Sequence, residues 1–254
     1  MKASVVVYTA IFGNHDILQI PLNYRKGDNS IQYYCITDDI NFNNEVYEII
    51  YVNRMYKDIT KNARYYKVMG LKSFEEFDYS IWHDGNITID HSQIYNLIDS
   101  LKDGVISVFV HPQRNCLYDE AISCIKLNKD YSLRIFLQMV YYWMKGLKGN
   151  SGLVETGILV KDNFKLANSS FKKIWWNQIL NFSRRDQISI MYAIERSQIK
   201  TSSLIGRGVN NPYSIYIGHN KKHYDDTSIY KLFNGSFIKK VVIAVLVKLK
   251  NSSL

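Results

Sequence analysis

The 254-residue chain is short of cysteine, proline and long apolar runs, and each shortage removes a class of protein. Its three cysteines, Cys35, Cys116 and Cys124, are odd in number and form no C-x-x-C pair, which speaks against a zinc site and a disulfide framework. A reducing compartment fits best. With only 3 Pro and 13 Gly, the chain is neither collagen-like nor dominated by linker or low-complexity sequence. The longest apolar run, Val241 to Val247, is far below the roughly 20 residues that a bilayer-spanning helix needs. Met1-Lys2-Ala3 leads straight into Ser4-Val5-Val6-Val7-Tyr8, which is too short and too β-branched for a signal-peptide core. The expected location is therefore cytoplasmic.

What is present is an ordinary globular composition, 46% hydrophobic and 22% charged, sufficient for a full core and incompatible with disorder over most of the chain. The 20 Tyr and 4 Trp suit either core packing or walls on which bases and sugar rings lie. A formal charge of +9 favours a polyanionic partner. Its distribution narrows the choice, because Lys221 to Leu254 holds seven Lys against two Asp and so more than half of the excess. The body is only mildly basic, and no nucleic acid is expected as a partner.

Continuous β-branched runs at residues 4 to 12, Ile31 to Thr37, Val46 to Val52, Tyr79 to Trp82, Val105 to Val110 and Gly157 to Val160 predict strands. Helical spacing predicts helices at Asp58 to Phe77, Tyr118 to Leu127, Ser132 to Lys145, Phe171 to Phe182 and Gln187 to Arg196. Alternation of this kind implies an α/β sheet, in which ligands collect beyond the carboxyl ends of the strands. Residues 1–222 are expected to form the domain and residues 223–254 a basic, apolar extension. The wheel of Phe237 to Lys250 shows no clean division into two faces. It could attach to an anionic membrane surface or pack on the body as a strand or helix.

The most distinctive local feature is Ser80-Ile81-Trp82-His83-Asp84-Gly85-Asn86, where an apolar strand delivers Asp84 and Asn86 two residues apart at a glycine turn. Oxygen ligands of this kind suit a divalent cation that keeps places for water and phosphate. The same residues could instead close a hairpin between Tyr79–Trp82 and Ile87–Ile89. Arg64 and Lys67 lie at i and i+3 of a predicted helix, on one face, where they could neutralise a diphosphate or simply face solvent.

These segments occur in order with others: Tyr8-Thr9-Ala10-Ile11-Phe12-Gly13-Asn14-His15-Asp16, Cys35-Ile36-Thr37-Asp38, Asn62-Ala63-Arg64-Tyr65-Tyr66-Lys67, and the Asp84 turn. There follow His111-Pro112-Gln113-Arg114-Asn115-Cys116-Leu117-Tyr118-Asp119-Glu120-Ala121, Gly152-Leu153-Val154-Glu155-Thr156-Gly157, Trp175-Trp176 and Ser183-Arg184-Arg185-Asp186-Gln187. The series, over about residues 4 to 196, resembles a glycosyltransferase-like family once known only as a domain of unknown function. Its members occur in bacterial surface-polysaccharide loci and among plant Golgi proteins linked to mucilage and pollen development.

The resemblance implies a GT-A-like, Rossmann-like fold with a mixed, mainly parallel sheet flanked by helices, and a hexosyltransferase-like enzyme dependent on a nucleotide sugar. It places donor binding at Tyr8, Thr9, Ala10, Asp38, Arg64, Lys67, Asp84 and Asn86. The divalent cation, Mn or Mg, falls to Asp84, Asn86 and a late histidine, His219. His111 and Arg114 are implied in acceptor binding, and Glu155, Asp186 and Gln187 in catalysis. In retaining relatives of this fold an Asp-Gln pair sits beside the reacting sugar, and in inverting ones an acid at a similar helix start is the general base. Ser183 and Asp186 also read as capping residues of the helix that follows. The expected partners are a nucleotide-diphosphate sugar, UDP-linked, and an oligosaccharide or lipid-linked acceptor. The expected setting is capsule or lipopolysaccharide synthesis at the inner face of the cytoplasmic membrane. The rival reading is a non-catalytic carbohydrate- or nucleotide-binding protein, favoured by Asn86 in place of a second acid.

Overall fold

A computed structural model describes residues 2–147, 149–218 and 235–252. Strand β1 (Val5–Ile11) lies inside a seven-stranded sheet, and all seven of its residues are buried, as a run apolar on both faces requires. The sheet also contains β2 (Ile31–Thr37), β3 (Glu48–Tyr51), β4 (Tyr79–His83), β6 (Ile106–Val110), β7 (Val154–Asp162) and β8 (Thr201–Ser203). Their order is β3-β2-β1-β4-β7-β6-β8. Strands β3, β2, β1 and β4 run parallel, β7 is antiparallel to β4 and β6, and β8 runs parallel with β6. Among the described strands of this sheet only β7 opposes the rest. This is the expected mixed, mainly parallel sheet flanked by helices.

One face of the sheet carries Val5, Val7 and Ile81 against Ile94 and Leu97 of α2 (Ile94–Asp99). The other carries Val6, Tyr8 and Trp82 against α1 (Ile59–Met69), α6 (Phe171–Asn181) and α7 (Asp186–Ser197). A third apolar cluster lies among α3 (Leu117–Lys126), α4 (Ser132–Met144), α7 and the last helix, α8 (Ser236–Ser252). Short α5 (Asn163–Ala167) follows β7.

Three expectations are revised. Strand β5 (Ile87–Ile89) does not form a hairpin with β4; it pairs antiparallel with β9 (Ser214–Tyr216), from far along the chain. The predicted helix from Asp58 ends at Met69, where Gly70 takes φ 69°, and a separate 3-10 turn covers Lys72–Glu76. Residues 236–252 are helical and two-faced, with Val242 and Leu246 inward and Phe237, Lys240, Val241 and Lys248 outward. Apolar side chains stand on both faces, so hydrophobicity alone could not separate them. The expected boundary at residues 222 and 223 lies outside the described residues.

Candidate active site at the carboxyl end of the sheet

The site begins where β4 stops. Asp84 leaves the strand with its backbone N–H bonded to the Gly157 carbonyl of β7, and Ile87 N–H closes the turn onto the Asp84 carbonyl. Glycine fits closely between Asp84 and Asn86, because a Cβ at Gly85 would stand 3.0 Å from Ile11 Cγ1 and 3.2 Å from Asp16 Oδ2 and press on both side chains. The Trp82 indole N–H donates to Asp84 Oδ1 at 2.9 Å. His83, turned to the other side, lies 3.0 Å from the Tyr47 hydroxyl and 3.1 Å from the Asp84 carbonyl. Burial pulls its pKa down to about 4, so it is neutral at physiological pH.

Helix α1 supplies the cations. Its N-cap, Asp58, accepts from the Thr60 and Lys61 N–H groups and also receives the Arg184 guanidinium at 3.2 Å, so the start of α1 is fixed to the segment before α7. One helical face then carries Arg64 and Lys67 to Asp84, Arg64 Nη1 at 3.2 Å and Lys67 Nζ at 3.1 Å from Oδ1. The same two cations reach Asp186 in the first turn of α7, Arg64 Nε at 3.1 Å and Lys67 Nζ at 2.6 Å. Thr156 of β7 donates to Asp186 Oδ2 at 2.8 Å. Two carboxylates and two cations therefore form one quartet, built from β4, α1 and α7.

The two carboxylates differ in access. The Asp186 side chain is 2% exposed and that of Asp84 27%. Burial pushes the Asp186 carboxyl up, but Arg64, Lys67 and Arg185 outweigh it and hold the group far below the usual carboxylate range. Asp84 behaves alike, burial being overcome by Lys67 and Arg64. Burial and the nearby Arg64 charge draw the Lys67 ammonium below its ordinary value, against Asp186 and Asp84.

The remaining predicted residues fall around this centre. Asp38 has both oxygens engaged, Oδ1 by the Gly13 N–H at 2.8 Å and Oδ2 by Arg54, so it secures the turn after β1. Tyr8, Thr9 and Ala10 lie inside β1, not at its end. Tyr8 is wholly buried beneath Phe74 and Trp82 and takes the Lys161 ammonium on its hydroxyl at 2.7 Å, which removes it from any nucleoside at the strand end. The Thr9 hydroxyl is buried without a hydrogen-bond partner among the described residues. Glu155 accepts the Gly208 N–H at 2.7 Å and thereby holds the loop before β9. His111 Nδ1 accepts the N–H groups of Gln113 and Arg114, and Arg114 pairs with Glu120 at 2.8 Å. Half-buried Arg185 interacts electrostatically with both Glu120 and Asp186 and so joins this loop to the quartet.

Gln187 is half-buried, and its amide makes no hydrogen bond among the described residues. The N-cap of α7 is Arg185, not Ser183. The Ser183 hydroxyl instead donates to Asp130 and accepts from Arg185 N–H. His219 lies outside the described residues. Sequence reasoning gave no role to Asp16, Arg54, Thr156, Trp82 or Lys161. Asp16, Trp82 and Thr156 stand within quoted motifs without a role of their own, whereas Arg54 and Lys161 carry no local signal and become visible only through pairing in the fold.

For a divalent cation, the described residues offer no group of three His, Cys, Asp or Glu side chains, so they do not form an all-protein cage. They do fit an ion shared with a ligand. Asp84 keeps Oδ2 without a hydrogen bond among the described residues, Asn86 stands two positions on, and the two carboxylates of the quartet offset its two cations, so an ion would add to what Arg64 and Lys67 offer a diphosphate. Magnesium commonly binds through one or two protein oxygens plus phosphate and water.

Residues 1–206 match the family model of the TOD1/MUCI70 glycosyltransferase-like domain. The probable hexosyltransferase MUCI70 of Arabidopsis thaliana is 23% identical over 223 residues, 78% of this chain but 38% of the plant protein. This chain thus spans well under half the length of that relative. Among solved structures, galactosyltransferase LgtC in complex with donor and acceptor sugar analogues aligns with 98% of this chain and 100% of its own, at 11% identity and a TM-score of 0.43. The bifunctional glycosyltransferase WbbM in its apo form aligns with 80% of this chain and 39% of its own, at 10% identity and a TM-score of 0.42. The match over residues 1–206 takes in the whole quartet and every strand of the main sheet, and the chain belongs to the TOD1/MUCI70 glycosyltransferase-like family.

Proposed function

We propose that this chain is a hexosyltransferase-like enzyme that moves a sugar from a nucleotide-diphosphate donor, UDP-linked, to a saccharide acceptor. Its setting is bacterial surface-polysaccharide assembly, capsule or lipopolysaccharide, at the inner face of the cytoplasmic membrane. The observation that carries the reading is the quartet of Arg64, Lys67, Asp84 and Asp186 at the carboxyl end of the sheet. Departure of a diphosphate leaves negative charge on the leaving oxygens, and cations fixed beforehand stabilise that charge without reorganising during the reaction. Arg64 and Lys67 are such cations, because Asp186 and Asp84 hold them from two sides. A divalent ion on Asp84 and Asn86 would supply further charge neutralisation at the diphosphate when bound.

Asp186 serves this reaction as a positioning residue. An acid this buried, held ionised by two cations, has neither the access nor the proton affinity of a general base working near neutral pH. Gln187, next in the helix and with an uncommitted amide, is the member of the pair available to a sugar hydroxyl. His111 and Arg114 remain the acceptor-side candidates, and Glu155 fixes the loop before β9.

A panel of nucleotide sugars, each tested by thermal shift with and without manganese, tests the reading. A donor present at about 100 times its Kd stabilises by about 2.7 kcal/mol, which corresponds to about 5–10 °C for a chain of this size. Asp84→Ala is expected to abolish both this shift and sugar transfer while keeping a cooperative melt. Normal turnover in that variant rejects the donor site. A donor shift without transfer or hydrolysis on any acceptor supports the non-catalytic binding reading instead.

A further inference from the structure

Two neighbouring helices expose apolar stripes of the same period. On α4 the stripe is Leu133, Leu137, Val140 and Met144, at i, i+4, i+7 and i+11, and on α8 it is Phe237, Val241 and Ala244, at i, i+4 and i+7, with Lys248 one turn further along the same face. The helices lie side by side and run in the same direction. Trp143 Nε1 near the end of α4 donates to Ser252 Oγ near the end of α8, and Lys239 in the first turn of α8 reaches Asn128 ahead of α4. Beneath them the surface is secured by Val242 and Leu246 in the third apolar cluster and by Lys250 on Asp119 at 2.7 Å.

The outward side chains are large and open, with Leu137 57% exposed, Met144 73%, Phe237 77% and Val241 48%. Arg134, Lys145, Lys240 and Lys248 are exposed beside them. Neither helix contains an Asp or a Glu. Two apolar stripes bordered by cations alone, with a half-exposed Trp at the edge, match the chemistry of an anionic lipid interface, where apolar side chains enter the headgroup boundary and Lys and Arg meet lipid charge. No helix among the described residues is long and apolar enough to cross a membrane, so the contact lies along the surface.

We propose that the α4–α8 face docks on an anionic bilayer. Its position relates it to the candidate site, because Asp130, two residues before α4, accepts from Ser183 Oγ and Arg184 N–H immediately ahead of Asp186. A surface held there would bring a lipid-linked acceptor to the quartet; that last step rests on the transferase reading, whereas the docking does not.

The test is co-sedimentation of the full chain with phosphatidylcholine vesicles and with phosphatidylcholine–phosphatidylglycerol vesicles, with no donor present, so that failure of docking and failure of transfer are read separately. The wild-type chain is expected to bind the anionic vesicles, and binding is expected to fall on raising the salt. Lys240→Glu with Lys248→Glu should weaken it by about 30-fold or more, from about 1 kcal/mol for each Lys. Leu137→Glu with Val241→Glu should weaken it even at low salt. Each double variant changes only exposed side chains, and its melting temperature serves as the fold control. No binding to anionic vesicles overturns the proposal, as does equal binding by wild type and both variants. Self-association that the Leu137 and Val241 changes abolish, without vesicle binding, makes the face a contact between copies and also overturns it.

Discussion

Asp186 shows how one burial observation changes the chemistry expected of a residue. As a cap, it would tolerate Asn, which caps nearly as well as Asp. As a general base, it would lose turnover and little stability on the same change. The quartet leads to a third result. Asp186→Asn leaves the fully buried Lys67 with Asp84 as its remaining carboxylate, and breaking a buried ion pair costs about 3–5 kcal/mol. The expected outcome is a melting temperature lower by roughly 6–20 °C, together with loss of transfer. A normal melt with reduced turnover would return Asp186 to the role of base. Arg64, Lys67 and Asp84 were legible in sequence because helical spacing and a strand end mark their faces, and Asp186 through the family resemblance. Thr156 and Trp82 were not, since their bonds to those carboxylates arise from packing across strands. Tyr8 was misplaced for a reason present in the sequence itself: strand alternation puts it with Val6 and Ala10 on the face covered by helices.

At the scale of elements, most strands and helices followed from hydrophobic runs and their period, with ends shifted by a residue or two. What escaped is informative. Strands β8 and β9 are three residues each and draw on distant partners, β6 and β5, so no local pattern announces them. Strand β7 was expected, but its reversed direction depends on which neighbours it meets. That reversal matters to the site, because it sets Gly157 against Asp84 and Thr156 against Asp186. The turn joining β4 to β5 rests on β1 through Gly85, where an added methyl group would meet Ile11 at 3.0 Å. Gly85→Ala must therefore lift the turn or displace Ile11, and overpacking of this kind costs about 1–3 kcal/mol. The turn carries Asp84 and Asn86, so donor affinity is expected to fall by about tenfold or more, equivalent to about 1.4 kcal/mol, measured by titration with the nucleotide sugar. Unchanged affinity with a lowered melt would mean that Ile11 yields and the turn stays.

For the whole molecule, Lys161 links the two halves of the sheet to the helix that carries the cations. From β7 it donates to the Tyr8 hydroxyl of β1 at 2.7 Å and to the Lys67 carbonyl of α1 at 2.6 Å. No carboxylate pairs with it among the described residues, and burial, with the nearby charges of Lys172 and Lys67, draws its ammonium well below the usual lysine value. The sign of the linkage follows. Between the native value and the unfolded value near 10.4, the unfolded chain binds the extra proton, so stability contributed through Lys161 rises with pH across that window and levels off above it. The full effect of one proton is a slope of about 1.4 kcal/mol per pH unit. Lys161→Met keeps the length of the side chain and removes the charge, and replacing a buried charge by an apolar side chain of similar volume is often neutral or stabilising. The variant is therefore expected to fare best relative to the wild type at neutral pH, and the wild type should gain on it as the pH approaches 10. Denaturant melts of both proteins at several pH values between 7 and 10 measure the difference, in which the titration of every other group cancels. Parallel curves would show that Lys161 has the same proton affinity in both states, and the link between β1, β7 and α1 would then rest on its hydrogen bonds alone.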